Sequence, residues 1–310
     1  MSNAIDVNSV TRRFGEITAV DELSFVVAPG EIFGLLGPNG AGKTTTIHLL
    51  TGMLAKDEGT IRILGLDPHR EPRQVHKIIG YVPQETNVYL DLSAVDNLWH
   101  HAALYCDDLS CVEEDIAELL SLMNLWDRRK DPIRTYSGGM KRRLALARTL
   151  LHDPEVIFFD EPTLGVDVQG KHVIWEHIKA QQESGKTFIV STNDMMEADN
   201  LCNRLVIIDH GKAITLDTPE NLKAELGRDI VILHTSPAIM DPEEMFRGLN
   251  IQAVKHPEPG AIRFEIKNAE TLVEQIISRV ADGYQLESMR IARPTLDDVF
   301  LQYTGRALRD

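Results

Sequence analysis

The sequence predicts an α/β domain, built on a sheet that contains parallel strands, followed by a smaller α+β domain. Strand-like and helical patterns alternate along most of the chain, which favours a sheet covered by helices. The 310 residues exceed the length of one ordinary compact core, which favours two domains. The pattern of elements changes after residue 226. We therefore expect the first domain at residues 1–226 and the second at residues 227–310.

The strands of the first domain are predicted from short runs of apolar and β-branched residues. Between residues 94 and 150 several helix patterns follow one another without a convincing strand, among them residues 113–123. We interpret this segment as a helical subdomain inserted into the α/β core. The strands are expected at residues 5–10, 23–27, 31–36, 60–64, 79–82, 156–159, 187–191 and 205–208.

The second domain shows the element order βαββαβ, which is typical of a ferredoxin-like module. It contains no constellation of catalytic side chains, so its expected role is interaction or regulation. The predicted elements are a strand at 229–234, a helix at 242–249, a hairpin within 251–267, a helix at 271–281, a strand at 285–291 and a helix at 295–303.

The composition excludes some classes of partner. A net charge of -15 argues against a protein that binds nucleic acid or anionic lipid surfaces, because either would repel the chain as a whole. We find neither an apolar run of about 18 residues, as a membrane span requires, nor an export signal. The three cysteines form no CxxC pair, which makes a disulfide framework or a zinc knuckle unexpected. We expect a cytosolic chain that recognises its partners locally.

A glycine-rich loop between a predicted strand and a predicted helix has the spacing GxxxxGK[ST] of a phosphate-binding loop. Glycines allow backbone amides to approach phosphates, and the helix N-terminus faces the same negative charge. We expect Lys43 to contact the β- and γ-phosphates of ATP and the Thr44 hydroxyl to bind Mg²⁺. The loop comprises Gly37, Pro38, Asn39, Gly40, Ala41, Gly42, Lys43 and Thr44, followed by Thr45.

Two carboxylates follow a continuous apolar strand, at Asp160 and Glu161. A buried strand of a parallel sheet delivers such residues to a site at its carboxyl edge. We expect Asp160 to hold Mg²⁺, usually through water, and Glu161 to act as the general base on the attacking water. Two solvated acids at a strand end are the alternative interpretation, but the phosphate-binding loop favours the catalytic one.

A third motif, Ser137-Gly138-Gly139, stands directly before a predicted helix. Ser137 is expected to cap this helix, whose exposed amides form a second anion site. Alone, the segment equally fits an ordinary cap followed by a solvated basic face. Together, in this order and spacing, the three motifs resemble the nucleotide-binding subunit of ATP-binding cassette (ABC) transporters, from about residue 5 to residue 225. Tyr136 stands where leucine is commonest in the signature motif of that family.

The resemblance implies a P-loop NTPase fold of the ABC type and further site residues. Phe14 resembles the aromatic residue that stacks on adenine, and Gln84 the Q-loop glutamine that touches Mg²⁺ and senses the transmembrane partner. Asp167 is similar to the D-loop aspartate at the dimer seam. Members of the family work as head-to-tail dimers, in which ATP lies between the P-loop of one subunit and the signature motif of the other.

Asn193 departs from the family pattern, since histidine normally contacts the γ-phosphate at this position. Asparagine can donate a hydrogen bond but cannot take up a proton. Loss of one such transition-state contact typically costs about 3 kcal/mol, or roughly 10² to 10³ in rate. The resemblance thus implies a catalytic set of Lys43, Glu161 and Asn193 with slow turnover. Pairing with a second ATPase subunit that carries the histidine is the alternative.

The motif that begins at Ser137, a single cassette and the C-terminal module ending at residues 294–300 resemble ABC-2 type exporters. Within these exporters the chain resembles daunorubicin-resistance and sodium-efflux ATP-binding subunits. The resemblance implies a separate ABC-2 type transmembrane permease that holds the chain at the cytoplasmic face of the cell membrane and docks near residues 84–104. The second ATPase subunit is another copy or a different chain. Two alternatives stay open, a soluble ABC ATPase acting on ribosomes or DNA and a regulatory subunit with degenerate hydrolysis.

Overall fold

The computed structural model describes residues 3–85, 87–106, 108–258, 260–267 and 269–305. These residues form two compact units, divided between residues 218 and 219. In chain order the first unit contains β1 (Ile5–Phe14), β2 (Ile17–Val27), β3 (Ile32–Leu36), α1 (Lys43–Leu50), β4 (Glu58–Ile63), α2 (Pro72–Ile78), β5 (Ile79–Val82), α3 (Ala94–Tyr105), α4 (Val112–Leu122), α5 (Gly138–Leu150), β6 (Val156–Asp160), α6 (Val168–Glu183), β7 (Thr187–Thr192), α7 (Met195–Leu201), β8 (Arg204–Asp209) and β9 (Lys212–Asp217).

A six-stranded sheet in the order β5-β6-β7-β3-β8-β9 forms the centre of the first unit. Its first five strands run parallel, and β9 pairs antiparallel with β8. Every residue of β3, β6 and β7 is buried, as expected for parallel strands covered on both faces. The predicted α/β class is confirmed. Edge strand β9, which is exposed or half-buried throughout, was not predicted.

A second sheet of the same unit joins β2, β1 and β4 in antiparallel order. The predicted end of β1 at residue 10 is wrong, because the strand continues to Phe14. Charged side chains support this extension: Arg12 Nη1 lies 2.9 Å from an Asp57 carboxylate oxygen, and Arg13 Nη1 lies 2.7 Å from Glu58. The apolar pattern stops at residue 10, whereas the pairing with neighbouring strands does not.

Helices α3, α4 and α5 occupy the segment that was interpreted as a helical subdomain at residues 94–150. Helix α3 begins with a capping box, in which Ser93 Oγ accepts from the amide of Asp96 at 3.1 Å. An isolated bridge between Ser93 and Pro132 is also present. Among the stretches of chain described above, no helix is long and apolar enough to cross a bilayer.

The second unit has the predicted order βαββαβ, flanked by a helix at each end. Its sheet is antiparallel in the order β11-β12-β10-β13, and Val231, Phe264 and Ile276 lie in its core. The elements are α8 (Pro219–Leu226), β10 (Asp229–Ser236), α9 (Pro242–Met245), β11 (Gln252–Lys255), β12 (Ala261–Ile266), α10 (Ala269–Ala281), β13 (Gln285–Ala292) and α11 (Leu296–Thr304).

Two details of the second unit differ from the prediction. The helix expected at residues 242–249 ends at Met245, and the left-handed conformation of Gly248, at φ +87°, cannot continue a helix to residue 249. The expected domain boundary after residue 226 lies at the end of α8, whereas the structural division precedes this helix. Helix α8 packs against α11, where Tyr303 Oη donates to Glu225 at 2.7 Å.

Candidate functional site

The glycine-rich loop joins β3 to α1 at the carboxyl edge of the parallel sheet. Two of its glycines are required by close backbone approaches. A Cβ on Gly37 would lie 2.2 Å from the Ile208 carbonyl oxygen, and one on Gly42, at φ +104°, would lie 2.4 Å from that of Ala19. The first helical bond runs from the amide of Thr46 to the Gly42 carbonyl at 2.8 Å. The amides that precede it have no partner within the helix and can face an anion.

Lys43 is held inside this loop by backbone carbonyl groups. Its side chain is 5% exposed, and Nζ donates to the carbonyl oxygens of Gly37 at 2.7 Å and Pro38 at 3.0 Å. Burial lowers the pKa of the Lys43 ammonium group, while the charges of Glu161 and Asp160 oppose this shift. A cation surrounded mainly by neutral carbonyl groups can gain a stronger partner in a phosphate.

The two predicted carboxylates lie at the end of β6, beside the loop. Asp160 accepts a hydrogen bond from the Ser191 hydroxyl at the end of β7. The amide of Glu161 donates to the Ser191 carbonyl at 3.0 Å. Glu161 has a φ of +49°, a conformation that is costly for a residue with a side chain and that concentrates at functional sites. The backbone turn separates the two carboxylates, so each can have its own partner.

Gln84 and Lys43 both approach Glu161. Gln84 Nε2 donates to Glu161 Oε2 at 3.4 Å, and Lys43 Nζ lies 3.7 Å from Glu161 Oε1. Two residues that are far apart in the sequence thus contact one carboxylate. The two contacts fix the position of the Glu161 carboxylate beside the loop, where a general base would have to lie.

Asn193 lies at the opposite rim of the loop. Its Nδ2 donates to the side-chain oxygen of Asn39 at 3.4 Å, which places the predicted switch residue beside the phosphate-binding loop. The next residue, Asp194, caps α7 and pairs with Lys171 on α6. This ion pair therefore connects α6, the helix that follows Asp167, to the residue next to Asn193.

Phe14 lies at the end of β1, and its side chain is 46% exposed. The Arg12 guanidinium lies 4.7 Å from the centroid of its ring. A half-exposed aromatic ring can stack on a planar base, and the adenine contact of Phe14 stays a prediction.

Ser137 caps α5, where its Oγ accepts from the amide of Met140 at 3.3 Å. Gly138 and Gly139 lie next to the turn at Gly165 and Val166. No hydrogen bond joins residues 137–139 to residues 37–45 in the described part of the chain, so the structure does not bring the two predicted anion sites together within one subunit. Asp167 likewise acts as a cap here, accepting from the amide of Gly170 at 2.7 Å.

Several residues around the site were missed by the sequence analysis. Ser191 orients Asp160 and Glu161, and Glu197 is buried where Trp175 Nε1 donates to it at 3.0 Å. Arg142 was not singled out, and it is 5% exposed, whereas the alternative interpretation of its helix expected a solvated basic face. Helical spacing could have found it, because Arg142 shares one face of α5 with the buried residues Ala145, Leu146 and Thr149.

The residues of the site fit ATP and Mg²⁺. Oxygen ligands are those that Mg²⁺ prefers, and the predicted set offers the hydroxyl of Thr44, the carboxylate of Asp160 and the amide oxygen of Gln84. The side chain of Thr44 is exposed at the start of α1. The loop amides, Lys43 and the helix N-terminus supply the complementary contacts for phosphates. The arrangement defines a nucleoside triphosphate site of the P-loop type.

Two family models match the chain. The model described as ABC transporter matches residues 20–164, and the model described as ATP-binding protein DrrA1-3-like, C-terminal domain, matches residues 218–304. Two similar curated proteins extend over the full length. A Nod factor export ATP-binding protein I from Paraburkholderia xenovorans is 38% identical and covers 99% of both chains. The linearmycin resistance ATP-binding protein LnrL from Bacillus subtilis is 36% identical, over 99% of this chain and 100% of that protein.

Solved structures agree with this assignment. An ATP-binding subunit of an ABC transporter is 26% identical, with a TM-score of 0.66 over 72% of this chain and 93% of that chain. A dimeric ATP-binding cassette bound to ADP and Pi has a TM-score of 0.62 and 26% identity, over 69% of this chain and 98% of that chain. The chain belongs to the ATP-binding proteins of ABC transporters. It binds ATP, and it is an ATPase whose hydrolysis is coupled to transport.

Proposed function

We propose that this chain is the ATP-hydrolysing subunit of an exporter that dimerises head to tail around ATP and acts on a separate ABC-2 type permease. The convergence of Lys43, Gln84 and Glu161 at one end of the parallel sheet carries the catalytic part of this proposal. Full-length similarity to proteins named for Nod factor export and linearmycin resistance supports the direction of transport.

Within one subunit, the loop amides and Lys43 hold the phosphates of ATP, and Phe14 stacks on the adenine. Glu161 takes a proton from the attacking water, and its contact with Gln84 keeps the carboxylate turned toward the loop. Mg²⁺, held by Thr44 and Asp160 together with Gln84, would supply positive charge opposite the phosphate oxygens. Asn193, beside Asn39, donates to the γ-phosphate.

The second subunit completes the site. Ser137, Gly138 and Gly139 present a helix N-terminus that contacts no residue of the P-loop by a hydrogen bond within the described part of its own chain. Such a terminus attracts negative charge, and the γ-phosphate of ATP bound to a partner provides it. Hydrolysis removes this bridging charge and loosens the dimer. The dimeric relative bound to ADP and Pi supports this arrangement.

A cavity of about 430 Å³ between α2, α3 and α5 supports docking of the permease next to the catalytic site. Its lining includes Asn87 and Tyr89, which follow Gln84, together with Leu104 and Tyr105 at the end of α3. Three of these side chains are large, apolar or aromatic, and exposed: Tyr89 at 49%, Leu104 at 67% and Tyr105 at 48%. Burial of such surface drives association. A permease docked here would hold the chain at the cytoplasmic face of the membrane.

Asn193 favours one further proposal, that hydrolysis is slow. The asparagine retains a hydrogen-bond donor near the loop but carries no positive charge. A dimer with a different ATPase subunit that has histidine here would restore one fast site. A regulatory subunit without hydrolysis is less well supported, because Lys43, Gln84 and Glu161 are all present and joined.

Replacement of the proposed base tests the function. We expect Glu161→Gln to reduce ATP turnover at least about 100-fold, because an amide cannot accept the proton of water. The shape of the site is kept, so ATP should trap a stable dimer, measured by light scattering after size-exclusion chromatography. Glu155→Gln is the matched control, since Glu155 is exposed just before β6. Normal turnover in Glu161→Gln would contradict the assigned base.

A further inference from the structure

Arg142 makes an unusual set of contacts for a buried charge. It lies in the first turns of α5 and is 5% exposed. Its guanidinium donates five hydrogen bonds, all to main-chain carbonyl groups. The acceptors are Pro162 at 2.8 Å from Nε, Pro83 at 2.5 Å and Gln84 at 3.2 Å from Nη1, and Asp160 at 2.8 Å and Glu161 at 2.9 Å from Nη2.

These contacts join three motifs that the sequence separates. One side chain, four residues beyond Gly138, reaches both the segment that carries Gln84 and the segment that carries Asp160 and Glu161. The guanidinium is planar and its donors have fixed directions, so five simultaneous bonds determine how far the two segments stand apart. Lysine has the same charge but could not satisfy both segments in this way.

The guanidinium of Arg142 remains a cation. No carboxylate among the described residues lies within ion-pair distance of it. Burial lowers the pKa of Arg142 to about 10, with Glu197 and Asp160 acting in the opposite direction. A buried charge requires compensation, and here carbonyl dipoles provide it. An apolar side chain would leave these five carbonyl groups without their donor. The same five bonds therefore stabilise the fold and fix the geometry of the two segments.

The backbone conformation of Glu161 shows why the contacts of Arg142 matter for this residue. Its φ of +49° is strained, and strained conformations persist only where surrounding contacts determine them. Arg142 Nη2 holds the carbonyl groups on both sides of the Glu161 α-carbon, those of Asp160 and Glu161. The amide of Glu161 is fixed independently by Ser191. The direction of the Glu161 side chain thus depends on a guanidinium that belongs to α5.

We propose that Arg142 is a positioning residue for ATP hydrolysis. It holds Glu161 and Gln84 at fixed positions beside the P-loop, and it connects both to α5, the helix that Ser137 caps. Contact of that helix with ATP of the partner subunit would then fix the position of the base. This inference rests on the role proposed above for Glu161.

Arg142→Lys in the full-length chain tests the inference. We expect kcat to fall at least tenfold, while KM and the affinity for the fluorescent nucleotide TNP-ATP change less than twofold, because no contact with the P-loop is lost. The melting temperature reports separately whether the variant folds. Arg143→Lys is the matched control. It is the neighbouring arginine, but it donates to the Met123 carbonyl in the helical segment, and it should retain kcat within twofold.

A double variant separates positioning from a general loss of structure. In the Glu161→Gln background, slow residual hydrolysis can be followed with γ-labelled ATP over hours. If Arg142 acts through Glu161 and Gln84, adding Arg142→Lys should reduce this residual rate by a smaller factor than the same substitution causes alone. Multiplied losses, or an unchanged kcat in Arg142→Lys alone, would overturn the inference but leave the proposed function standing. Normal turnover in Glu161→Gln would overturn both.

Discussion

At the scale of single residues, the position of Asn193 gives the most direct prediction about the rate of ATP hydrolysis. It sits beside Asn39 of the P-loop, so a histidine there would reach the same phosphate and could carry positive charge in the transition state. We expect Asn193→His to raise kcat about tenfold or more, measured as phosphate release at saturating ATP. Asn200→His is the control, since Asn200 is exposed on α7 and bonds only within its helix.

The KM for ATP gives a second test of the role of Asn193. Asparagine and histidine both donate a hydrogen bond in the ground state, so the KM for ATP should change little when Asn193 becomes histidine. An unchanged or lower kcat would show that turnover is limited elsewhere. The proposed pairing with a second, histidine-containing ATPase would then gain weight, and copurification of one ATPase species or two would decide between the explanations.

The predicted site residues differ in how directly the sequence could identify them. Lys43 and Glu161 belong to local motifs, in which neighbouring residues determine both the chemistry and the backbone that presents it. Gln84 depended on the family resemblance, because its contact with Glu161 crosses 77 positions of sequence. Helical spacing could have indicated that Arg142 is buried, but its role could not be assigned, since its partners are main-chain carbonyl groups and carbonyl groups leave no trace in the residue types.

At the scale of secondary-structure elements, buried strands were predicted more accurately than exposed ones. Strand β5 begins and ends where expected, and β6 and β7 differ by a single residue, because fully buried parallel strands are continuous apolar runs. Strand β9 and residues 12–14 of β1 are exposed or half-buried, and there pairing with a neighbouring strand replaces burial as the cause of extended structure. The alternation of residue types is weak there.

Helix α5 makes a prediction at the same scale, because its N-terminus has two roles. Ser137 caps the helix, and its removal should cost about 1 kcal/mol of stability. If the same terminus binds ATP of the partner subunit, Ser137→Ala should also abolish the ATP-bound dimer of the Glu161→Gln variant. TNP-ATP binding by the monomer should persist, since the P-loop is unchanged.

A second capping serine provides the control for that experiment. Ser93 caps α3 through the same kind of bond, in which its Oγ accepts from the amide of Asp96. Ser93→Ala should therefore lower the melting temperature by a similar amount while the ATP-bound dimer still forms. Equal loss of the dimer in both variants would reduce the role of Ser137 to helix stability, and an intact dimer in Ser137→Ala would contradict the head-to-tail arrangement.

At the scale of the whole molecule, the negative net charge and the exposed residues around the cavity limit which partners the chain can bind. A charge of -15 disfavours association with phosphate-rich surfaces. The exposed residues around the 430 Å³ cavity instead offer a small surface on which a protein segment can be buried. Ribosomes and DNA are therefore poorer candidates than a permease.

Coexpression with a candidate permease tests this choice. Leu104 is 67% exposed at the rim of the cavity, so Leu104→Arg should reduce copurification with the membrane subunit at least tenfold, because a guanidinium would be placed in an apolar contact. ATP hydrolysis by the isolated chain should be unaffected, since Leu104 has no place in the proposed catalytic set. Met240→Arg, at an 87% exposed position in the second unit, should copurify normally. Equal copurification of both variants would move the docking surface away from α3, and capture of the chain by ribosomes would contradict transport through a permease.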